Sequence, residues 1–238
     1  NVSGEYLLNV TASSNTNWSE ENNESSILTV FIDEEYSQDI VMYNGNQNHT
    51  YKQSLGFIPE GNHTLEFLFD FNKSSINSSY IILSNVETME AQLLETPYIV
   101  FEYSPIVYGR NIFEWNESNR TDIPLILFND LNSWYDSNLG NLTKITYHLI
   151  FSNEDSRVGI GLSDMMLSWG RTTDIEWLYE VTLDENNEII SEIFQGASHT
   201  PTIFDGYKYD NHPILINATP NCNFDDNGTS DYKFFLSP

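Results

Sequence analysis

The chain is short of cations, of cysteine and of long apolar runs, and each shortage closes off a class of protein. Nine Lys and Arg stand against 35 Asp and Glu in 238 residues, a net charge of -26. Nucleic acid or an anionic membrane surface would repel such a chain, so neither is expected as a partner. Residues 1–95 hold only Lys52 and Lys73 as basic groups. Few ion pairs can form there, and counterions or calcium must relieve the repulsion. A single cysteine, Cys222, rules out an intrachain disulfide framework and is expected as a small buried residue. No stretch reaches the roughly 20 apolar residues of a membrane helix. There is no Gly-X-Ser-X-Gly elbow and no internal repeat, and no catalytic signature stands out.

What the chain has in excess is Asn-X-Ser/Thr. Thirteen such sequons begin at Asn1, Asn9, Asn17, Asn23, Asn48, Asn62, Asn72, Asn77, Asn116, Asn119, Asn141, Asn217 and Asn227. With 28 Asn and 42 Ser or Thr, chance would supply about five. The excess lies in the pattern and not only in the composition, which predicts covalent N-glycans and an extracellular or cell-surface location. The first residue is Asn and no apolar leader precedes it, so a signal peptide is expected to have been removed. Eleven sequons fall in residues 1–141 and two in the last 22, leaving residues 142–216 bare. A packed or contacted surface has no room for glycans, so the bare segment is the expected core, interface or ligand region.

Aromatic residues make up 14% of the chain, and with many β-branched residues they point to strands. The first half reads as short strands at Tyr6–Ala12, Ser26–Ile32, Asp39–Tyr43, Tyr51–Phe57, His63–Phe69 and Tyr80–Ser84. In His63–Phe69, Leu65, Phe67 and Phe69 share one face, the period-two pattern of a half-buried strand. The stretch Phe57–Phe69 (Phe-Ile-Pro-Glu-Gly-Asn-His-Thr-Leu-Glu-Phe-Leu-Phe) resembles the hairpins of extracellular immunoglobulin-like domains. The expected architecture is therefore all-β with two domains: an immunoglobulin-like antiparallel sandwich over 1–90 and a larger antiparallel β domain over 96–238. Thr88–Leu94 is helix-friendly and precedes Pro97, which places the junction there. Strands are expected at Tyr98–Tyr103, Asp122–Leu127, Lys144–Ser152, Ile175–Leu183, Glu188–Phe194, His212–Ile216 and Tyr232–Leu236. Asp184–Asn187 makes a hairpin turn, and Ser163–Gly170 a single helical turn.

Three groups of residues invite chemistry. In Gly170–Trp177, Asp174 and Glu176 would share a strand face, opposed by Arg171 and beside Trp177. Paired carboxylates can hold a metal or act on a glycoside, or Arg171 can simply pair with a carboxylate from elsewhere. His199 and His212, both beside prolines in the bare segment, could converge with Asp174 or Asp205, although no zinc-ligand spacing links them. Asn223–Asp231 places Asn223, Asp225 and Asn227 at positions one, three and five, Gly228 at six and Asp231 at nine, as calcium loops do. It departs from that pattern in starting with Asn and in having Phe234 at position twelve. Trp115, Trp134 and Tyr135, in Asn-rich surroundings, could stack on sugars or cover the protein's own glycans.

The leading expectation is an extracellular structural glycoprotein without enzymatic activity, a self-associating subunit of a filament, sheath or lattice. Subunits would join by strand addition, through Gly4–Ala12 or Tyr232–Ser237. The alternatives are a secreted protein that binds or cleaves carbohydrate through Asp174 and Glu176, and an adhesin or receptor-like ectodomain.

Overall fold

A computed structural model describes residues 2–17, 23, 25–110, 123–152, 173–219 and 221–238. Alternating apolar residues build mostly antiparallel sheets, and the chain divides into two compact units. The first comprises residues 1–102, 109–120 and 230–237, the second 103–108, 121–229 and 238. The main division between them falls after residue 102, and residues 230–237 belong to the first unit.

The first unit contains β1 (Gly4–Ser14), β2 (Ser26–Ile32), β3 (Glu35–Met42), β4 (His49–Ile58), β5 (Leu65–Phe69) and β6 (Ile81–Glu90). They form two three-stranded sheets, ordered β4-β1-β6 and β3-β2-β5. Tyr6, Leu8, Val10 and Ala12 on one face of β1 meet Leu28 and Val30 of β2, Ile40 and Met42 of β3, and Tyr51 and Leu55 of β4 in one core. Each such side chain contributes about 1.5–3 kcal/mol by leaving water. This is a two-layer sandwich, but its strand order is not the immunoglobulin one. In that fold the first two strands share a sheet; here β1 and β2 lie in different sheets.

Two local expectations are also corrected. Tyr98–Glu102 is a short helix, α1, and not a strand; it turns Val100 and Phe101 into the interior, where Phe101 packs with Leu7 and Ala91. Thr88–Glu90 remains in β6, and only Ala91–Leu93 turns helical. Hydrogen bonding along β1 extends β6 well past the expected Ser84, overriding the weak helix preference of that run.

One carboxylate organises the C-terminal end of this unit. Asp39 is fully buried on β3 and accepts hydrogen bonds from Thr29 Oγ1 (2.7 Å), Tyr36 OH (2.8 Å) and Lys73 Nζ (2.8 Å). Lys73 also lies over the Tyr36 ring. Tyr36 OH in turn accepts the Lys233 backbone N–H (3.1 Å), and Ser54 N–H bonds Phe235 O (2.7 Å). The segment around Lys233 is thereby anchored to β3 and β4. Burial holds the Asp39 carboxyl above its ordinary range, while Lys73, Thr29 and Tyr36 pull it back.

The second unit contains β7 (Ile106–Tyr108), β8 (Pro124–Asp136), β9 (Gly140–Phe151), β10 (Asp174–Leu183), β11 (Ile189–Gly196), β12 (Thr200–Ile203), β13 (Lys208–Tyr209), β14 (His212–Asn217) and β15 (Phe224–Asp225). A five-stranded antiparallel sheet has the order β12-β11-β10-β9-β8. Its inner face buries Leu127, Ile145, Tyr147, Leu149, Tyr179 and Val181. Tyr147 stacks with Tyr179, which meets Phe204 edge-on. In a second group β14 pairs with β13 and β15 antiparallel and with β7 in parallel. The Asp184–Asn187 turn closes β10 onto β11, with Asp184 Oδ1 accepting from the N–H groups of Asn186 and Glu188 (2.8 Å each). The Ser163–Gly170 turn, Trp115 and Arg171 lie outside the described residues.

Lys73→Met should cost the first unit about 3–5 kcal/mol, because it removes the ammonium hydrogen-bonded to a buried carboxylate and leaves only the nearby Lys233. Adding Asp39→Leu should restore much of that loss. Urea denaturation of the two variants, with amide exchange of residues 230–237, checks both halves.

Candidate functional site

The polar cluster that stands out is built at one end of β10 and β11. Asp174 and Glu176 alternate on β10 with Ile175 and Trp177, so both carboxylates face away from Trp177. The register against β9 shifts between Trp177 and Tyr179, which makes Leu178 a bulge residue. The bulge lets Glu176 and the core residue Tyr179 serve the same side of the sheet. On β11, Gln195 is fully buried. Gly196 follows, where a Cβ would collide with the Thr202 side chain, so only glycine lets β12 return so closely. Ser198 and His199 then take left-handed backbone, each with φ 57. That conformation costs about 1–3 kcal/mol per residue off glycine and survives only where surroundings enforce it. Here Asn223 Oδ1 accepts the Ser198 N–H (3.0 Å).

The result is an imidazole ringed by amides and a carboxyl. Gln195 Nε2 donates to Glu176 Oε2 and lies 2.8 Å from His199 Nδ1. His199 Nδ1 is 3.3 Å from Glu176 Oε2. Asn221 Nδ2 lies 2.9 Å from His199 Nε2, and Asn223 Nδ2 3.3 Å from Nδ1. The ring is half-exposed, whereas the Glu176 side chain is mostly covered. Burial raises the Glu176 carboxyl from its ordinary 4.5 to about 7; Gln195 and His199 oppose the rise, and Asp174 adds to it. A carboxyl poised near neutrality beside an imidazole can exchange a proton with it and present the result to solvent.

The expected residues divide accordingly. Asp174, Glu176 and His199 do come together. Trp177 lies on the opposite face of β10, paired with His148. His212 is buried elsewhere, with Nδ1 2.9 Å from Ser104 O. Asp174 lies close enough for its charge to add to the rise at Glu176.

Three of the side-chain oxygens in Asn223–Asp231 hold backbone N–H groups of the chain itself. Asn223 holds Ser198, Asp225 Oδ1 accepts the Asn227 N–H (2.9 Å), and Asp226 Oδ2 accepts the Asp205 N–H (2.9 Å). Among the described residues no three His, Cys, Asp or Glu side chains gather in a way that could hold a metal ion. Gln195 and Asn221 escaped sequence reasoning because amides carry no spacing rule; only the pairing of β10 with β11 brings Gln195 to Glu176.

Of the sequon asparagines, Asn17, Asn48, Asn62, Asn72, Asn77, Asn141 and Asn227 are exposed and Asn9 is half-buried. Asn23 and Asn217 are buried, and neither amide atom of Asn217 has a hydrogen-bond partner among the described residues. Asn1, Asn116 and Asn119 lie outside the described residues. Cys222 is fully buried. No helix among the described residues is long and apolar enough to cross a membrane.

No family model matches the chain, and no curated protein and no solved structure is significantly similar to it.

Two measurements follow from this geometry. Between pH 4.5 and about 7 the folded state holds a proton on Glu176 that the unfolded chain releases. The stability this group contributes is full below pH 4.5 and lost as pH rises through about 7. Thermal melts from pH 5 to 8 should show that decline, and Glu176→Gln should flatten it. Peptide mass spectrometry of native protein should find Asn23 and Asn217 unglycosylated, since the folded chain leaves no room at either amide.

Proposed function

We propose that the chain is a subunit of an extracellular, glycan-coated structural assembly whose subunits meet edge to edge through β-strands. The observation that carries this reading is β8. It is 13 residues long and, among the described residues, pairs only with β9. It exposes Ile126, Phe128, Leu131, Trp134 and Tyr135. A long apolar edge strand of this kind is a template for another chain and is normally blunted in proteins that stay apart. It carries no sequon, whereas seven sequon asparagines elsewhere are exposed to solvent.

We place strand addition on β8 and not on the segments expected from sequence. β1 is hydrogen-bonded on both edges, to β4 and to β6, and residues 233–237 are bonded to β3 and β4 of their own unit. Neither segment can be lent to a neighbour without opening its own sheet. The edge of β8 that is unpaired among the described residues takes that role, and a head-to-tail contact on it can propagate without closing. Copies carrying a net charge of -26 repel one another, so assembly requires salt to screen them.

A second reading, a secreted carbohydrate-binding protein or an adhesin, draws on the Glu176–His199 pair with its surrounding amides. A glycan array probed with the native protein and with Glu176→Gln separates it from the first.

Electron microscopy and light scattering of native material test the assembly. Ordered polymers that strengthen from 0.02 to about 0.3 M salt, a range over which the Debye length shrinks severalfold, support it. Phe128→Lys with Leu131→Lys should yield monomers; unchanged polymers would show that β8 is not the contact.

A further inference from the structure

Tyr135 is the most exposed of the large apolar residues on β8, at 72%. It sits at the end of the β8–β9 hairpin, where its direct cross-strand partner is Asn141. Asn141 is exposed and opens the sequon Asn141-Leu142-Thr143. Directly opposed residues in an antiparallel pair have their Cβ atoms about 4.5–5.5 Å apart and project to the same side. A sugar on Asn141 Nδ2 therefore emerges beside the Tyr135 ring.

The hairpin tip holds that geometry firmly. Asp136 Oδ1 accepts the N–H groups of Asn138 (2.8 Å) and Leu139 (3.0 Å), and Gly140 supplies the left-handed residue with φ 82. Two pairs further in, Ser133 and Thr143 hydroxyls are 3.1 Å apart on the same side. Tyr135 is thus presented to solvent by a rigid turn, with a glycan acceptor as its neighbour.

We propose that Tyr135 is the stacking platform for the first sugar of an N-glycan on Asn141, an inference that rests on the glycoprotein reading above. The linkage forms when Asn141 Nδ2 attacks the anomeric carbon of a lipid-phosphate-linked oligosaccharide. The N–C1 bond forms, the C1–O bond to phosphate breaks, and the amide proton leaves with the displaced lipid phosphate. The axial C–H groups of a neutral hexose or N-acetylhexosamine then lie on the ring face, which supplies apolar contact without asking for charge. An acidic first sugar fits badly in a chain of net charge -26. The sugar also closes the tip of β8, confining edge-to-edge pairing to the part of the strand nearer Pro124.

The test is a double-mutant cycle on the protein purified from its native expression host, with peptide mass spectrometry at Asn141. Tyr135→Ser should lower the melting temperature of the glycosylated protein by about 2–4 °C, the shift expected for about 1 kcal/mol at this chain length. It should leave the Asn141→Gln protein unmoved, and Tyr135→Trp should retain the effect of wild type. An equal shift in both backgrounds, or none in either, overturns the proposal. An Asn141 peptide without glycan overturns it as well; glycans on Asn48, Asn62 or Asn72 would then leave the glycoprotein reading standing, and their absence would remove both.

Discussion

With nine cations for 35 carboxylates, most acids cannot be given an ion pair, and where a cation does reach a buried acid it fixes part of the fold. Lys73 is one of two cations in residues 1–95, and it reaches the fully buried Asp39. In the second unit Lys144 pairs with Glu180 (3.0 Å), and Lys208 pairs with Glu192, which also accepts from the buried Tyr179 hydroxyl. The remaining acids are left mostly at the surface. Where a carboxyl is covered with only a half-exposed imidazole to answer it, as at Glu176, it is held partly protonated near neutrality. The candidate site is thus a consequence of the same shortage of cations.

The sheets distribute what is left to interact. β1 is central, and the residues around Lys233 are tied down through Tyr36 and Asp39, so both ends of the first unit are committed internally. β8 lies at the edge of its sheet with large side chains in solvent. Exposed sequons and exposed aromatic residues meet at Tyr135 and Asn141, where one hairpin register brings an apolar ring beside a sequon asparagine. Sugar and strand edge would then divide one element between them, the tip protected and the rest open.

Much of this was legible before any coordinates. Period-two alternation located nearly all the long strands, because a half-buried strand writes its burial directly into its residues. It failed at Tyr98–Glu102, a short apolar run in which strand and helix look alike. It also stopped β6 at Ser84, since an exposed edge strand carries no alternation to read. For the site, the structure brings Asp174, Glu176 and His199 together, whereas Trp177 and His212 lie apart from them. Strand parity sends Trp177 to the other face, and His212 is held by a carbonyl remote in sequence.

By itself the sequence determined the all-β class, the scarcity of ion pairs and the placement of sequons, since each depends on composition or on neighbours along the chain. Only the tertiary structure decided which sheet each strand joins, which strand edge is unpaired among the described residues and which sequon asparagines are buried. It also decided that Gln195 and Asn221 surround His199. Those outcomes depend on pairing between segments far apart in the chain, and pairing is chosen by the burial of whole faces, which no single segment specifies.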